Sequence, residues 1–199
     1  MKTLFIPLIK PINEIPELKD IPKEIFIAYT IQYQELAEKI KAKLEKSHKI
    51  LGFQQVLGCS ILKAKNILLI GSGRFHALQL ALQGSKVYIY EQGKIIKIGD
   101  NEIEKLKSRK KLALSKFYSS SRIGIIVSLK SGQEHLDQAL ELQKNLEKQG
   151  KKAYILISNN INLLDLENFQ LPVYINTACP GLSLDSGDII NISDLSPGD

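Results

Sequence analysis

Short apolar runs alternate with amphipathic helical patterns along most of this chain. Two of these runs, 67–70 and 123–127, are apolar at every position or nearly so, which predicts strands that are covered on both faces. The alternation is typical of parallel strands joined by crossover helices, so we expect an α/β fold with mainly parallel sheets flanked by helices. The predicted strands are Thr3–Ile6, Ile25–Tyr29, Gln55–Leu57, Asn66–Ile70, Val87–Tyr90, Ile123–Ser128, Ala153–Ile157 and Val173–Asn176.

Three helices are predicted from apolar stripes at helical spacing, near 34–47, 101–118 and 134–149. Gly150 stands where a left-handed helix cap is expected. The segment 93–99, bounded by glycines, is interpreted as the break between two modules of similar size and build, 1–98 and 99–199. The predicted stripes consist of Leu36, Ile40 and Leu44, then Ile103, Leu106, Ala113 and Phe117, and last Leu136, Leu140 and Leu146.

Composition places the chain among ordinary globular proteins. It has 199 residues, of which 44% are hydrophobic and 24% charged, which argues against disorder or a fibrous repeat. The net charge is +6, but the basic residues are spread along polar helix faces without interleaved aromatic residues, so direct nucleic-acid binding is not expected. Pro7 and Pro11 break the N-terminal apolar run, and no apolar stretch reaches 18 residues. We therefore expect no membrane segment and a cytoplasmic location.

A glycine-containing loop, Gly71–His76, follows a predicted buried strand and precedes a helix start. Such a loop is either a tight turn or an anion site at a helix N-terminus, to which Arg74 could add a bidentate contact. It resembles the dinucleotide fingerprint G-x-G-x-x-G, with Glu91 at the place of a ribose-binding acid, but His76 replaces the third glycine. A nucleotide-binding protein therefore remains an alternative.

The segment Ser128–His135 repeats the passage from strand to helix in the second half. Ser131 and Glu134 have the spacing of a capping box, which predicts a helix beginning there. A functional loop is compatible with the same residues, because ligands in open parallel sheets bind at the carboxyl ends of strands.

The chain has two cysteines, Cys59 and Cys179, and neither belongs to a C-x-x-C motif. Each follows a predicted strand, one in each half. Singly, each is best interpreted as a buried inert thiol. Together, at equivalent places in two modules, they suggest thiolates that converge on one site. Zinc sites and iron–sulfur clusters usually take four ligands, so this chain alone completes neither.

Four segments of this chain resemble segments of a known protein family and follow one another in the same order as they do in that family. The chain resembles the diphthamide synthases, the 2-(3-amino-3-carboxypropyl)histidine synthases, and among them the archaeal type. The resemblance runs from about Thr3 to Asp185. The segments are Thr30–Tyr33 through Gln55–Cys59, Gly71–His76, Ile126–Gln133 and Val173–Pro180.

This resemblance implies three similar α/β domains around a pseudo-threefold axis, each supplying one cysteine to a 4Fe-4S cluster with an iron position open to S-adenosylmethionine. Cys59 matches the second-domain ligand and Cys179 the third-domain ligand. The implied reaction is a radical transfer of the 3-amino-3-carboxypropyl group from S-adenosylmethionine to a histidine of translation elongation factor 2, the first step of diphthamide biosynthesis. The resemblance implies no catalytic group beyond the cluster. Cofactor-binding or architectural roles are implied for Gly71, Gly73, Arg74, His76, Gly132 and Gln133.

The chain departs from the family pattern in two ways. It lacks the first domain with its cysteine, and Gly181 follows Cys179-Pro180 where the family has arginine. Asp185 keeps one acidic residue of a family pair. Because the chain begins with Met1 and keeps both other cysteines, we expect a second chain, or a homo- or hetero-oligomer, to supply the missing domain and thiol. The alternative is a non-catalytic subunit or degenerate paralogue that binds the partner or elongation factor 2.

Overall fold

The computed structural model describes residues 6, 8, 15, 17, 18, 20–91 and 93–195. The strand predicted over 3–6 lies outside the described residues, apart from Ile6, which is not in a strand. The chain divides into two compact units, 1–104 and 105–199, and the division falls inside a long helix, Asp100–Ser119. In the part of the chain that the structure describes, no helix combines the length and the apolar character needed to span a membrane.

Unit 1 is a five-stranded sheet with helices between its parallel strands. The order across the sheet is β2-β1-β3-β4-β5; the first four strands are parallel, and β5 returns antiparallel to β4. Its elements are β1 (Glu24–Tyr29), α1 (Gln34–Leu44), β2 (Lys49–Gln55), β3 (Asn66–Ile70), α2 (Phe75–Leu82), β4 (Lys86–Glu91), β5 (Lys94–Lys97) and the start of α3 (Asp100–Ser119).

Strand β3 is buried on both faces, as its uninterrupted apolar pattern predicts. Ile67 and Leu69 belong to the hydrophobic cluster that includes α2, whereas Leu68 and Ile70 belong to the cluster that includes α1. Because both faces of the sheet are covered, ligands reach its centre only at the ends of the strands.

Unit 2 contains a four-stranded, fully parallel sheet with the order β7-β6-β8-β9. Relative to the chain, this order is second, first, third, fourth, which is also the order of the four parallel strands of unit 1. Both sheets therefore reverse winding between their first and third strands. The elements are β6 (Arg122–Ser128), α4 (Leu136–Lys148), β7 (Lys152–Ser158), α5 (Leu163–Glu167), β8 (Tyr174–Asn176), α6 (Leu182–Asp185) and β9 (Ile189–Asn191).

Several predicted bounds are wrong. Strand β2 is an edge strand that runs over 49–55, rather than 55–57, and its mixed polar and apolar pattern hides it from a search for apolar runs. The segment 93–99, predicted as the break between two modules, contains strand β5, and the chain turns into this strand at Gly93, which has a φ of +83°. Strand β9 was not predicted, because three residues carry too little periodicity.

The predicted start of helix α4 differs from the observed one. It begins at Leu136 with His135 at the N-cap and no side-chain cap, so the capping box predicted from Ser131 and Glu134 is wrong. Its buried face consists of Ala139, Leu142 and Leu146, whereas Leu140 of the predicted stripe is 40% exposed.

The left-handed cap predicted at Gly150 is confirmed, at a φ of +79°. The Gly150 amide donates to the Glu147 carbonyl and the Lys151 amide to the Leu146 carbonyl, the two bonds of a Schellman motif. This turn also places Lys151 Nζ within 3.1, 3.2 and 2.8 Å of the carbonyl oxygens of Phe117, Tyr118 and Ser120. Lys151 thereby neutralises the C-terminal end of α3.

We expect Lys151→Met to lower the free energy of unfolding by about 2 kcal/mol, because three carbonyls lose a charged donor. Urea denaturation followed by circular dichroism measures the change. The matched control is Lys148→Met, at an exposed position in the last turn of α4. Equal stability of the two variants would contradict the role given to Lys151.

Candidate functional site

The winding of unit 1 reverses between the carboxyl ends of β1 and β3, where Thr30 and Gly71 lie side by side. The Thr30 amide donates to the Ile70 carbonyl over 3.0 Å. A Cβ atom on Gly71 would stand only 3.2 Å from both Oγ1 and Cγ2 of Thr30. Glycine at position 71 therefore allows the two strand ends to approach closely, and the Thr30 side chain occupies the space beside it.

Two buried polar atoms of unit 1 have no hydrogen-bond partner among the described residues: Thr30 Oγ1 and His76 Nδ1. Thr30 is 7% exposed, and although it is the N-cap of the short 3-10 turn Ile31–Tyr33, its hydroxyl makes no cap bond. Buried polar groups without partners are rare in native proteins and call for an explanation, such as a bound ligand or water. Each of the two atoms is therefore available to a bound polar group or to water.

The loop that joins β3 to α2 turns at Gly73, which has a φ of +78°. Arg74 Nη2 lies 2.5 Å from Glu102 Oε2, so its charge is balanced within unit 1. The His76 ring, where the dinucleotide fingerprint would have glycine, packs edge-on against Phe75 at 5.0 Å between centroids. Burial lowers the pKa of the His76 imidazole below its usual range, so the ring is neutral at pH 7.

Cys59 is an exposed thiol on a short turn that follows β2. The Leu57 amide donates to Ser60 Oγ over 2.8 Å, and the Ser60 amide donates to the Leu57 carbonyl over 3.1 Å. Gln83, at the end of α2, clamps the same turn: its Nε2 donates to the Ser60 carbonyl over 3.0 Å, and its Oε1 accepts from the Leu62 amide over 3.1 Å. The thiol is accessible, but its backbone is held.

The turn that carries Cys59 also contacts the glycine loop. A Cβ atom on Gly58 would lie 2.1 Å from Cε1 of Phe75, so the Phe75 ring covers this glycine directly. The residue before the thiol thus packs on the residue that starts α2. The loop after the edge strand β2 therefore packs against the start of α2, which follows β3.

Cys179 is a half-buried thiol that follows β8 in unit 2. Asn176, 2% exposed, organises the turn: its Nδ2 donates to the Cys179 carbonyl over 2.8 Å, and its Oδ1 accepts from the Ala178 amide over 2.9 Å. Thr177 fixes the turn to β6, since its hydroxyl donates to the Ile126 carbonyl over 2.8 Å. Cys179 therefore sits on a turn that is hydrogen-bonded at each step.

Asn191, at the end of β9, completes this network from the neighbouring strand. Its Oδ1 accepts from Asn176 Nδ2 over 2.8 Å. Its own Nδ2 donates to Ser183 Oγ over 2.8 Å and to the Pro180 carbonyl over 3.3 Å. Two side-chain amides, more than nine-tenths buried, thus support the segment on both sides of Cys179.

The second predicted loop lies at the carboxyl end of β6, beside β8. Gly132 has a φ of +77°, and the Gln133 amide donates to the Lys130 carbonyl over 2.9 Å. Ser128 Oγ accepts from the Lys130 amide over 3.1 Å. The winding of unit 2 reverses between β6 and β8, so this loop and the Cys179 turn follow the two strands that flank that position.

Two sequence-based expectations about the cysteines are corrected. Cys59 is exposed and Cys179 half-buried, so neither is a fully buried thiol. Their places are not equivalent either, because Cys59 follows the second strand of its unit, at the sheet edge, and Cys179 follows the third strand of its unit. Among the described residues, no group of three or more histidine, cysteine, aspartate or glutamate side chains could hold a metal ion.

Four residues that shape these sites were not singled out from the sequence: Thr30, Gln83, Asn176 and Asn191. Three of them stand at or directly after the carboxyl end of a strand, which is the signal that could have found them. Gln83 carries no such signal, because a glutamine at a helix end is ordinary.

Fold and site together define a class: doubly wound α/β units of one strand order, each with a thiol on a braced turn at the carboxyl end of a strand. Residues 4–189 match the family model described as "Putative diphthamide synthesis protein". The chain belongs to this diphthamide synthesis family, which confirms the resemblance drawn from its four segments.

Its relatives are longer proteins. The chain is 29% identical to the 2-(3-amino-3-carboxypropyl)histidine synthase of Pyrococcus horikoshii, over 92% of this chain and 60% of that protein. It is 31% identical to the synthase of the same name from Methanocaldococcus jannaschii, over 93% and 57%. The crystal structure of Dph2 from Pyrococcus horikoshii with a 4Fe-4S cluster matches 89% of this chain and 57% of that one, with a TM-score of 0.74 and 27% identity. The chain thus spans less than two thirds of these relatives.

We expect Asn176→Ala to loosen the Cys179 turn and to lower the free energy of unfolding by about 3 kcal/mol, because it leaves buried amide groups without partners. The labelling rate of Cys179 by a thiol-reactive dye, measured in a Cys59→Ser background, is expected to rise. Asn162→Ala removes only an exposed helix cap in the same unit and serves as the control. An unchanged labelling rate in Asn176→Ala would contradict the bracing role.

The lowered pKa of His76 gives a pH dependence of defined sign. The unfolded histidine takes up its proton near pH 6.5, whereas the folded ring resists protonation, so the unfolded state binds more protons as the pH falls. The free energy of unfolding should therefore decrease below about pH 6.5 and level off once the folded ring is protonated as well. His76→Gln should flatten this slope in urea denaturation curves measured across this pH range. A slope equal to that of the wild-type chain would contradict the role given to His76.

Proposed function

We propose that this chain is part of a 2-(3-amino-3-carboxypropyl)histidine synthase and contributes two cluster ligands, Cys59 and Cys179. The observation that carries the proposal is the pair of thiols, one exposed and one half-buried, each on a turn braced by hydrogen bonds after the carboxyl end of a strand. The homologues of this name and the neighbouring structure with a 4Fe-4S cluster support it. The substrate would be a histidine of translation elongation factor 2.

The donor chemistry suits an iron–sulfur cluster, since thiolates are its usual ligands. The number of donors does not complete one, because the whole sequence has two cysteines. A third thiolate would come from outside these 199 residues, and we propose a separate chain or another subunit of an oligomer as its source. A source outside this chain agrees with the lengths of the relatives, of which the chain spans 57 to 60%. In this proposal, the two units correspond to the second and third domains of the family.

The unpartnered Thr30 Oγ1 and His76 Nδ1 fit a polar cofactor at the strand ends of unit 1, and we assign S-adenosylmethionine to this place. When bound, the cluster would supply one electron for cleavage of the bond from sulfur to the γ-carbon, with methylthioadenosine as the leaving group. The 3-amino-3-carboxypropyl group would then join the imidazole C2 of the target histidine, which would lose its C2 proton and one electron. The chain itself binds and orients. Gly71 and Gly73 shape the loop around the site, and Gly132 and Gln133 shape the corresponding loop of unit 2.

A second candidate is a non-catalytic subunit that stabilises a catalytic paralogue or binds elongation factor 2. The observation that favours it is Gly181: it is the N-cap of α6 and brings no cation next to Cys179, where the family pattern has arginine. Asp185, the retained acidic residue, is exposed at the end of that helix. Both candidates share the cytoplasmic location predicted from the sequence.

Anaerobic reconstitution with iron and sulfide tests the proposal. We expect the chain, together with a partner that supplies the third cysteine, to bind a cluster with charge-transfer absorption and an electron paramagnetic resonance signal after reduction. Cys59→Ala and Cys179→Ala should each lower the cluster content several-fold. Ser108→Ala removes an exposed hydroxyl on α3, leaves both thiols and their turns unchanged, and serves as the control.

The outcomes separate the two candidates. Cluster content that is unchanged in both cysteine variants would refute the proposed ligands. A cluster that forms normally, but with no cleavage of S-adenosylmethionine after addition of partner and reductant, would favour the non-catalytic subunit.

A further inference from the structure

We propose that the outer edge of strand β7 in unit 2 is an interface at which this chain pairs with a second copy of itself. Strand β7 (Lys152–Ser158) pairs with β6 along one side, and no other described strand lies against its outer side. An open sheet edge can add a strand from another chain. The inference does not depend on the proposed function, because the interface contains neither of the cysteine turns.

The backbone of β7 presents hydrogen-bonding groups on its outer side. The Lys152 amide donates over 2.7 Å to the carbonyl of Ser121, which directly precedes β6, so the backbone groups of Lys152 face β6. The direction of these groups alternates along a strand, so those of Ala153, Ile155 and Ile157 point outward. The strand therefore offers N–H and C=O groups at alternate positions to a further strand.

The other edges of the two described sheets are protected, whereas β7 is not. Strand β5 carries a lysine at each end, β2 has an irregular register with β1, and β9 is three residues long and buried. Charged ends, bulges and short lengths are the features by which edge strands resist pairing with other chains. In β7, the one charged residue is Lys152 at its start, and the uncharged run 153–157 follows.

Two hollows lie along the outer edge of β7, one towards each end of the strand. The hollow at the amino end has a volume of about 550 Å³, and the hollow at the carboxyl end has a volume of about 320 Å³. Both are lined by Ile155, Leu156 and Phe169, and the Phe169 side chain is 48% exposed. Ile157 is 49% exposed in the second hollow. The edge thus combines open backbone groups with apolar space for the side chains of an added strand.

A second copy fits this edge in an antiparallel arrangement with a twofold axis at Leu156. Ile155 of one copy then lies opposite Ile157 of the other, and outward-facing residues in such a pair exchange two backbone hydrogen bonds. In this register Lys152 lies opposite Asn160, so no like charges face each other directly. The same patch serves both copies, as twofold symmetry requires.

The charges at the two ends of this edge are opposite in sign. Arg122 lines the hollow at the amino end, and Asp165 lines the hollow at the carboxyl end. An antiparallel partner brings Arg122 of each copy to the end that carries Asp165 of the other, whereas a parallel copy would bring like charges together. Charge complementarity therefore favours a second copy in the antiparallel direction.

Sedimentation equilibrium of the full chain over a range of concentrations tests the interface. We expect a monomer–dimer equilibrium that Ile157→Lys weakens by about 10-fold or more, because a charge enters the apolar edge. Leu112→Lys adds the same charge at an exposed position of α3 and serves as the matched control. A wild-type chain that stays monomeric, or equal association of the two variants, would overturn the proposal.

The direction of pairing is tested by charge reversal. Arg122→Glu and Asp165→Arg should each weaken self-association several-fold, because each variant places like charges at both ends of its own dimer. An equimolar mixture of the two variants should associate as tightly as the wild-type chain, since opposite charges then meet at both ends. A mixture that associates no more tightly than either variant alone would refute the antiparallel dimer.

A disulfide crosslink tests the register. In a Cys59→Ser, Cys179→Ser background, Leu156→Cys should give a covalent dimer on air oxidation, because the two copies of position 156 face each other at the axis. Tyr154→Cys is at a more exposed position, but its two copies lie farther apart than the roughly 7 Å between Cα atoms that a disulfide can bridge, so it should stay monomeric under denaturing conditions. The opposite pattern, or no crosslink in either variant, would contradict the interface.

Discussion

Burial of both faces of the parallel sheets is the constraint on which the rest of the structure depends. Leu68 and Leu69 lie on opposite faces of β3 and belong to different hydrophobic clusters, so neither face of that strand is open. The free backbone groups and the reachable space are then confined to the strand ends. Thr30, Gly71, Cys59 and Cys179 all lie at or just beyond a carboxyl end, because a sheet with covered faces leaves few other places for chemistry.

Side-chain amides turn these ends into defined positions. Gln83 in unit 1, and Asn176 with Asn191 in unit 2, hold turns that would otherwise be connecting loops. A carboxamide both donates and accepts, so one residue can bind two backbone groups on different segments. The thiols themselves make none of these contacts. Bracing the backbone while leaving the sulfur accessible is what a metal ligand requires, since its position must be kept before the metal arrives.

Much of the fold could be predicted because apolar runs dominate the central strands. The predicted and observed bounds agree for β3, and they differ by one residue for β1, β6 and β8. The bounds of the edge strand β2 were predicted wrongly and the hairpin strand β5 was not predicted, because half-exposed strands carry polar residues that interrupt the apolar run. The start of α4 was misplaced because a favourable spacing of Ser131 and Glu134 competes with the turn that Gly132 makes at positive φ.

The cysteines and glycine loops could be found from residue type and position, but their supports could not. Nothing local marks Asn191 as a partner of Asn176, since the contact depends on the pairing of β8 with β9. Thr30 looks like any residue after a strand until Gly71 is placed beside it. Such relationships between distant segments become visible only once strand order is known.

The two units share one strand order, yet their thiols follow different strands, one at the sheet edge and one in its interior. The strand order therefore repeats, while the position of the thiol does not. The shared strand order therefore does not predict where the thiol of each unit lies. If one unit is aligned on the other by strand order, the two thiols fall after different strands.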